Sequence, residues 1–176
     1  MKFEAIPAYK LTKKKSTQIA RLLSDAFTSY PKDQTFYKQM PCFHILAWEE
    51  GNLVGHASVH HKIVYVNSEG YRIFGISDVC VARSNQKKGV GSALIDELSR
   101  IGKKGGAQFL VLITDEGKFY KKNGFKKVNS RARWVILSGN EMLGIQERKF
   151  DNSLFVKPLT DVKWPRGTID FMGPLF

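Results

Sequence analysis

Two glycines, Gly89 and Gly91, stand between a β-branched run and a segment with helical periodicity, in the stretch Val79-Cys80-Val81-Ala82-Arg83-Ser84-Asn85-Gln86-Lys87-Lys88-Gly89-Val90-Gly91-Ser92. Glycine lets a backbone approach a ligand closely, and a helix that opens there aims unpaired N–H groups and the positive end of its dipole outward. Lys87 and Lys88 add mobile positive charge. The chemistry these residues suit is the cradling of a pyrophosphate by residues 86–92. Any strand-to-helix turn can use glycine, so the pattern weighs more when a second one follows it. One does: the apolar run Phe109-Leu110-Val111-Leu112-Ile113 leads through Asp115 into Phe119-Tyr120-Lys121-Lys122-Asn123-Gly124-Phe125.

Taken in order, V-x-V-x-x-x-x-Q-x-x-G-x-G over residues 79–91 and F-Y-x-x-x-G-F over residues 119–125 resemble the acetyl-CoA-binding core of the GNAT N-acetyltransferase superfamily. The chain departs from the usual pattern at Gln86, where arginine is commoner, and at Lys88, where the loop often has a small residue. The resemblance implies acetyl-CoA as co-substrate, held by Val79, Cys80, Val81, Gln86, Lys87, Lys88, Gly89, Val90, Gly91 and Ser92, with no metal. It implies that residues 80–82 pair with the pantetheine arm and that the Val81 N–H polarises the thioester carbonyl. Tyr120 matches the tyrosine that protonates the departing thiolate; a core tyrosine satisfied by a backbone group is the competing reading. Asp78 stands at or next to the position where many members carry an acid that deprotonates the amine. A bulge in its strand would turn the side chain to the other face and make Ser77 the cleft residue. Of His56, His60 and His61, strand alternation lets at most one of the last two reach the same cleft.

The elements that must position these groups fit one domain of 176 residues, a core of residues 3–137 with a C-terminal extension over 138–176. The pattern predicts an edge strand over residues 3–9. A helix capped by Ser16 follows, with Ile19, Leu22, Leu23, Ala26 and Phe27 on one face, ended by Pro31. A shorter helix is predicted through Phe36, Tyr37 and Met40, and by resemblance this pair walls the acceptor pocket, bringing Tyr30, Asp33 and Tyr37 toward substrate. Strands over 43–48, 53–66 and 71–81, joined by turns at 50–52 and 67–70, form a meander that ends at the glycine loop. A helix over 90–103, a strand over 108–113, a helix over 115–123 and a strand from 125 complete the core. The fold class implied is α/β: a GNAT-like, mixed, mainly antiparallel central sheet flanked by helices, with added strands over 133–137 and 152–156 and a closing tail.

A formal charge of +12, from 28 Lys and Arg against 16 Asp and Glu, attracts polyanions. The basic pairs are spread around the chain without a nucleic-acid-binding motif, so a solvated surface that helps steer a polyanionic cofactor is expected, with no nucleic-acid partner. No apolar run reaches the ~20 residues of a membrane span, and residues 1–5 lack a signal's apolar stretch, so a cytoplasmic protein is expected, monomer or homodimer. Cys42 and Cys80 read as reduced core thiols.

The tail, Trp164-Pro165-Arg166-Gly167-Thr168-Ile169-Asp170-Phe171-Met172-Gly173-Pro174-Leu175-Phe176, is broken by proline and glycine and rich in aromatics, so it is expected to lie down on the domain. Its W-P-x-G-T, I-D and G-P resemble the tail of nodulation-factor N-acyltransferases. Residues 43–57, with His44 and His56, and the tryptophan of the tail resemble aminoglycoside 2'-N-acetyltransferases. Both relatives acylate an amino sugar, which implies such an acceptor, met by Tyr30, Asp33, His56 and Trp164. A chain this basic suits a neutral or anionic amino sugar better than a polycationic aminoglycoside. Protein lysine or N-terminal acetylation, a longer acyl donor, and a non-catalytic acyl-CoA- or nucleic-acid-binding module stay open as alternatives.

Overall fold

A computed structural model describes residues 1–176. The fold is mixed α/β, a mainly antiparallel sheet flanked by helices, and the chain divides into two compact units, residues 1–60 with 76–98 and residues 61–75 with 99–176. The division passes through two long strands and a helix.

The first unit contains β1 (Lys2–Pro7), α1 (Lys13–Ala26), β2 (Phe43–Glu49), β3 (Asn52–Val66) as far as residue 60, β4 (Glu69–Val81) from residue 76, and α2 (Val90–Lys104) as far as residue 98. β1 pairs antiparallel with β2 alone, which makes it the expected edge, and β2 pairs antiparallel with β3 across a turn in which Glu50 and Gly51 have φ of 49° and 80°. Positive φ at both central residues is what a tight hairpin with right-handed strand twist demands. α1 starts three residues before the predicted cap: the Thr12 hydroxyl accepts from the Lys15 N–H at 3.4 Å, and the three lysines extend the first turn. Its buried residues Ile19, Leu22 and Leu23 pack with Ile6, Leu46 and Cys80. The helix predicted through residues 36–40 does not form; residues 27–42 are turns and bends, with Tyr30 ringed by Phe27 at 5.9 Å and Tyr37 at 6.1 Å. Cys42 is exposed just before β2, which corrects the core reading for that thiol; Cys80 is buried as expected, and neither forms a disulfide.

In the second unit β5 (Phe109–Ile113), α3 (Gly117–Lys122), β6 (Lys126–Lys127), β7 (Ser130–Ser138), β8 (Glu141–Phe150), β9 (Leu154–Pro158) and β10 (Ile169–Pro174) join the outer ends of β3 and β4 in the order β6-β9-β5-β4-β3-β10-β7-β8. β8 is a ten-residue strand that sequence reading missed. The tail lies down by becoming β10, antiparallel to β3 and parallel to β7, which places Ile169 and Phe171 in a core with Phe109, Trp134 and Phe150. Its glycine has a physical reason: Gly167 has φ of 144°, and a Cβ there would meet the Asn67 amide at 2.6 Å. A Cβ on Gly75 would fall 2.2 Å from the Phe176 ring, so the chain end seats against bare backbone.

Candidate active site

The polar interior of the first unit gathers on one end of β4. Asp78 has φ of +53°, a left-handed conformation that few L residues adopt within a strand. Regular alternation would send Ser77 and Asp78 to opposite faces. The positive φ breaks it. The Ser77 hydroxyl lies 3.4 Å from the Asp78 carboxylate and 3.4 Å from His60 Nε2, so both side chains reach the same cluster. Whether Ser77 or Asp78 faces this side was left open by sequence; the irregularity brings both.

Burial pushes the proton affinity of the Asp78 carboxyl above the ordinary carboxylate range, against the hydroxyls of Ser58, Tyr30 and Ser77, which pull it down. The Ser58 and Tyr30 hydroxyls stand near the carboxylate without closing a hydrogen bond of full geometry, and both are buried. Burial, with the Asp78 charge second, raises the Tyr30 phenol well above its usual range, and the same two causes push the Cys80 thiol up to about 12. Cys80 is therefore a packed thiol.

His56 is fully buried, with Nδ1 3.0 Å from the Asp78 backbone oxygen and Nε2 2.9 Å from His44 Nδ1. Both ring nitrogens of His56, which sequence reading expected to meet substrate, are engaged by protein. Asp33 is exposed with φ of 59°. Of the acceptor residues expected in the first unit, Tyr30 and His56 stand at Asp78, Tyr30 by its hydroxyl beside the carboxylate and His56 by its ring on the backbone oxygen.

Past β4 the chain makes a single turn of tight helix over Arg83–Asn85, and the Gln86 amide turns back to donate to the Val81 carbonyl at 3.2 Å. Gln86 thus braces the loop from within. Lys87 and Gly89 have φ of 60° and 85°, and a Cβ on Gly89 would meet nothing within 4 Å, leaving open space over the turn. The first helical bond closes from the Ala93 N–H to the Gly89 carbonyl at 3.0 Å, so the N–H groups before it are directed outward at the start of α2. Sequence reading missed Gly55, which sets the height of that helix: a Cβ there would meet Leu94 at 2.9 Å and Val90 at 3.1 Å. The only signal for it was a glycine inside a strand pattern.

In the second unit Tyr120 is buried on α3, edge-on to Phe119 at 5.0 Å and Phe125 at 5.5 Å, with Gly124 turning the chain at φ of 86°. Trp164 packs edge-on to Phe109 at 5.0 Å, and its indole N–H is buried without a partner.

The family model for the acetyltransferase (GNAT) domain matches residues 8–128. The chain belongs to the GNAT family. The fold is similar to that of the GNAT N-acetyltransferase YhbS from Escherichia coli, solved in complex with CoA, at 14% identity over 97% of this chain and 88% of that one, TM-score 0.64. It is also similar to a GNAT acetyltransferase from Brucella melitensis solved with acetyl-CoA, at 17% identity over 96% and 94%, TM-score 0.61. Eis1 from Mycobacterium abscessus is matched at 14% identity and TM-score 0.61, over 76% of this chain and 33% of that one. No curated protein sequence matches the chain. At these identities the likeness is one of fold, and no helix of this GNAT domain is long and apolar enough to cross a membrane.

Proposed function

We propose that this GNAT domain transfers an acetyl group from acetyl-CoA to the primary amine of a small molecule, with an amino sugar as the acceptor class. The observation that carries the reading is Asp78: a carboxylate with raised proton affinity, among three hydroxyls, on the strand that runs directly into the glycine loop. An amine reaches an enzyme mostly as an ammonium, so the site must first take a proton, and a carboxylate moved toward neutral is suited to that task. In the reaction Asp78 takes the ammonium proton and releases it to solvent, the free amine nitrogen attacks the thioester carbonyl carbon, the nitrogen's second proton passes to Asp78, the C–S bond breaks, and the thiolate takes a proton from Tyr120, which regains one as Asp78 gives its proton up through solvent. The N–H groups over residues 87–92 and the lysines Lys87 and Lys88 hold the pyrophosphate, and the Val81 N–H polarises the thioester carbonyl. The neighbours solved with CoA and acetyl-CoA support this cofactor. The amino-sugar acceptor rests on the W-P-x-G-T tail and on the +12 charge, which disfavours a polycationic substrate.

Release of free CoA thiol from acetyl-CoA tests the reading, with glucosamine derivatives, nucleotide amino sugars, aminoglycosides, polyamines and a lysine peptide as acceptors. Turnover confined to neutral or anionic amino sugars is expected. Turnover of the peptide alone contradicts the acceptor class, and absence of both turnover and acetyl-CoA binding contradicts the enzyme.

A further inference from the structure

His44 lies opposite Ser58 in the β2–β3 register, and His56, Ser58 and His60 follow one another at two-residue intervals along β3, so all four share a face. They are also the chain's buried polar side chains, the first three fully enclosed. The hydrogen-bond chain from His44 through His56 to the backbone oxygen of Asp78 has only one direction. A carbonyl oxygen can only accept, so the proton of His56 sits on Nδ1. Neutral His56 then offers a lone pair at Nε2, and His44 Nδ1 must be the donor to it. His44 Nε2 is left as a lone pair, and it is the buried ring nitrogen with no partner.

This chain of donors ends on the one residue of β4 whose backbone is left-handed, a conformation unfavourable for an L residue that persists only when its surroundings hold it. We propose that His56, with its tautomer set by His44, is a positioning residue: its Nδ1–H pins the Asp78 carbonyl and so holds the Asp78 carboxylate among Ser58, Ser77 and Tyr30. The inference rests on the reading of Asp78 as the base. The titratable groups around the device are His60 on the His44 side and Tyr30, Cys80 and Asp78 itself on the other. Burial first, then the neighbouring imidazole, lowers His44 to about 4 and His56 to about 3, so both rings stay neutral and the donor order holds across the working range.

Two substitutions of His56 separate positioning from packing. Asparagine places an N–H where Nδ1 was; glutamine places its amide near Nε2 and leaves the Asp78 carbonyl without a donor. H56Q is expected to lower kcat for the amine by about 10²-fold, the scale of a small misplacement of a catalytic group, with the KM for acetyl-CoA unchanged. The acid limb of its pH profile moves to lower pH as the carboxylate relaxes toward water. H56N recovers most of that loss. Equal losses in H56N and H56Q at equal melting temperature, or an unmoved acid limb in H56Q, overturn the proposal. Nitrogen-15 NMR of the wild-type rings gives a readout that needs no turnover. Neutral Nδ1–H tautomers at both His44 and His56 are expected, and an Nε2–H tautomer at His56 overturns the brace even in an active enzyme. Expected tautomers in a protein that turns over no amine would leave the brace standing and remove the role of Asp78 as base.

Discussion

The cluster around Asp78 and the core gathered by β10 are both buried, yet they are built on opposite terms. The β10 core, with Phe109, Trp134, Phe150 and Phe171, is aromatic and aliphatic, and the indole N–H of Trp164 packed against it is its one buried polar atom without a partner. The Asp78 cluster holds three such atoms, on Tyr30, His44 and Ser58, together with a carboxyl of raised proton affinity and a left-handed backbone. Buried polar groups are normally paired, and each unpaired one costs about 1–3 kcal/mol. A fold tolerates that cost where the groups do something other than hold it together. The comparison teaches which residues to read as chemistry and which as support.

Substitution at each place should break different properties. The largest effect is expected for D78N: kcat/KM for the amine falls by about 10²–10⁴-fold, while the melting temperature holds or rises because a buried charge is removed. F171A, in the other region, is expected to cost about 3–5 kcal/mol of unfolding free energy, measured by denaturant titration, with the KM of the folded fraction unchanged. G55A forces a methyl onto Leu94 and Val90 and should cost about 1–3 kcal/mol, with a weaker hold on acetyl-CoA because the start of α2 is lifted.

The two histidines give the comparison a pH dependence. Both are lowered in the folded protein, so the unfolded chain binds more protons once the pH drops below the ordinary histidine value. Their contribution to stability is complete above about 6.5 and is lost as the pH falls through about 4 for His44 and about 3 for His56. Thermal melts between pH 7 and pH 3.5 should show this loss, flattened in a variant with leucine at both positions. The smallest effect is expected at the loop: K87A/K88A should raise the Kd for acetyl-CoA several-fold and weaken its salt dependence, since two exposed cations act through screened attraction.

The glycine loop and the turn after Tyr120 were legible because Gly89 and Gly124, at φ of 85° and 86°, carry their backbone requirement in their identity. Most strands of the meander were legible from alternation and from the turns at Gly51 and Asn67. β8 was not: Met142, Leu143 and Ile145 are exposed, so the strand lacks the one-sided apolar period, and pairing with β7 alone defines it. The short helix through residue 37 does not form; Tyr37 instead packs toward Tyr30, with ring centroids 6.1 Å apart. The pairing of His44 with His56 was not legible, since one sequence position shows a titratable ring but not the ring 2.9 Å away that fixes its tautomer. The break in alternation at Asp78 was legible only as an alternative, because a left-handed aspartate has no mark in sequence.

The pH dependence of kcat/KM for one amine, measured on wild type and on D78N, tests the central claim most directly, because the ionisation of the amine enters both profiles and cancels. The account predicts a wild-type acid limb above the ordinary carboxylate range that vanishes from the residual activity of D78N. An acid limb at the same pH in both proteins would contradict it and assign the base to another group.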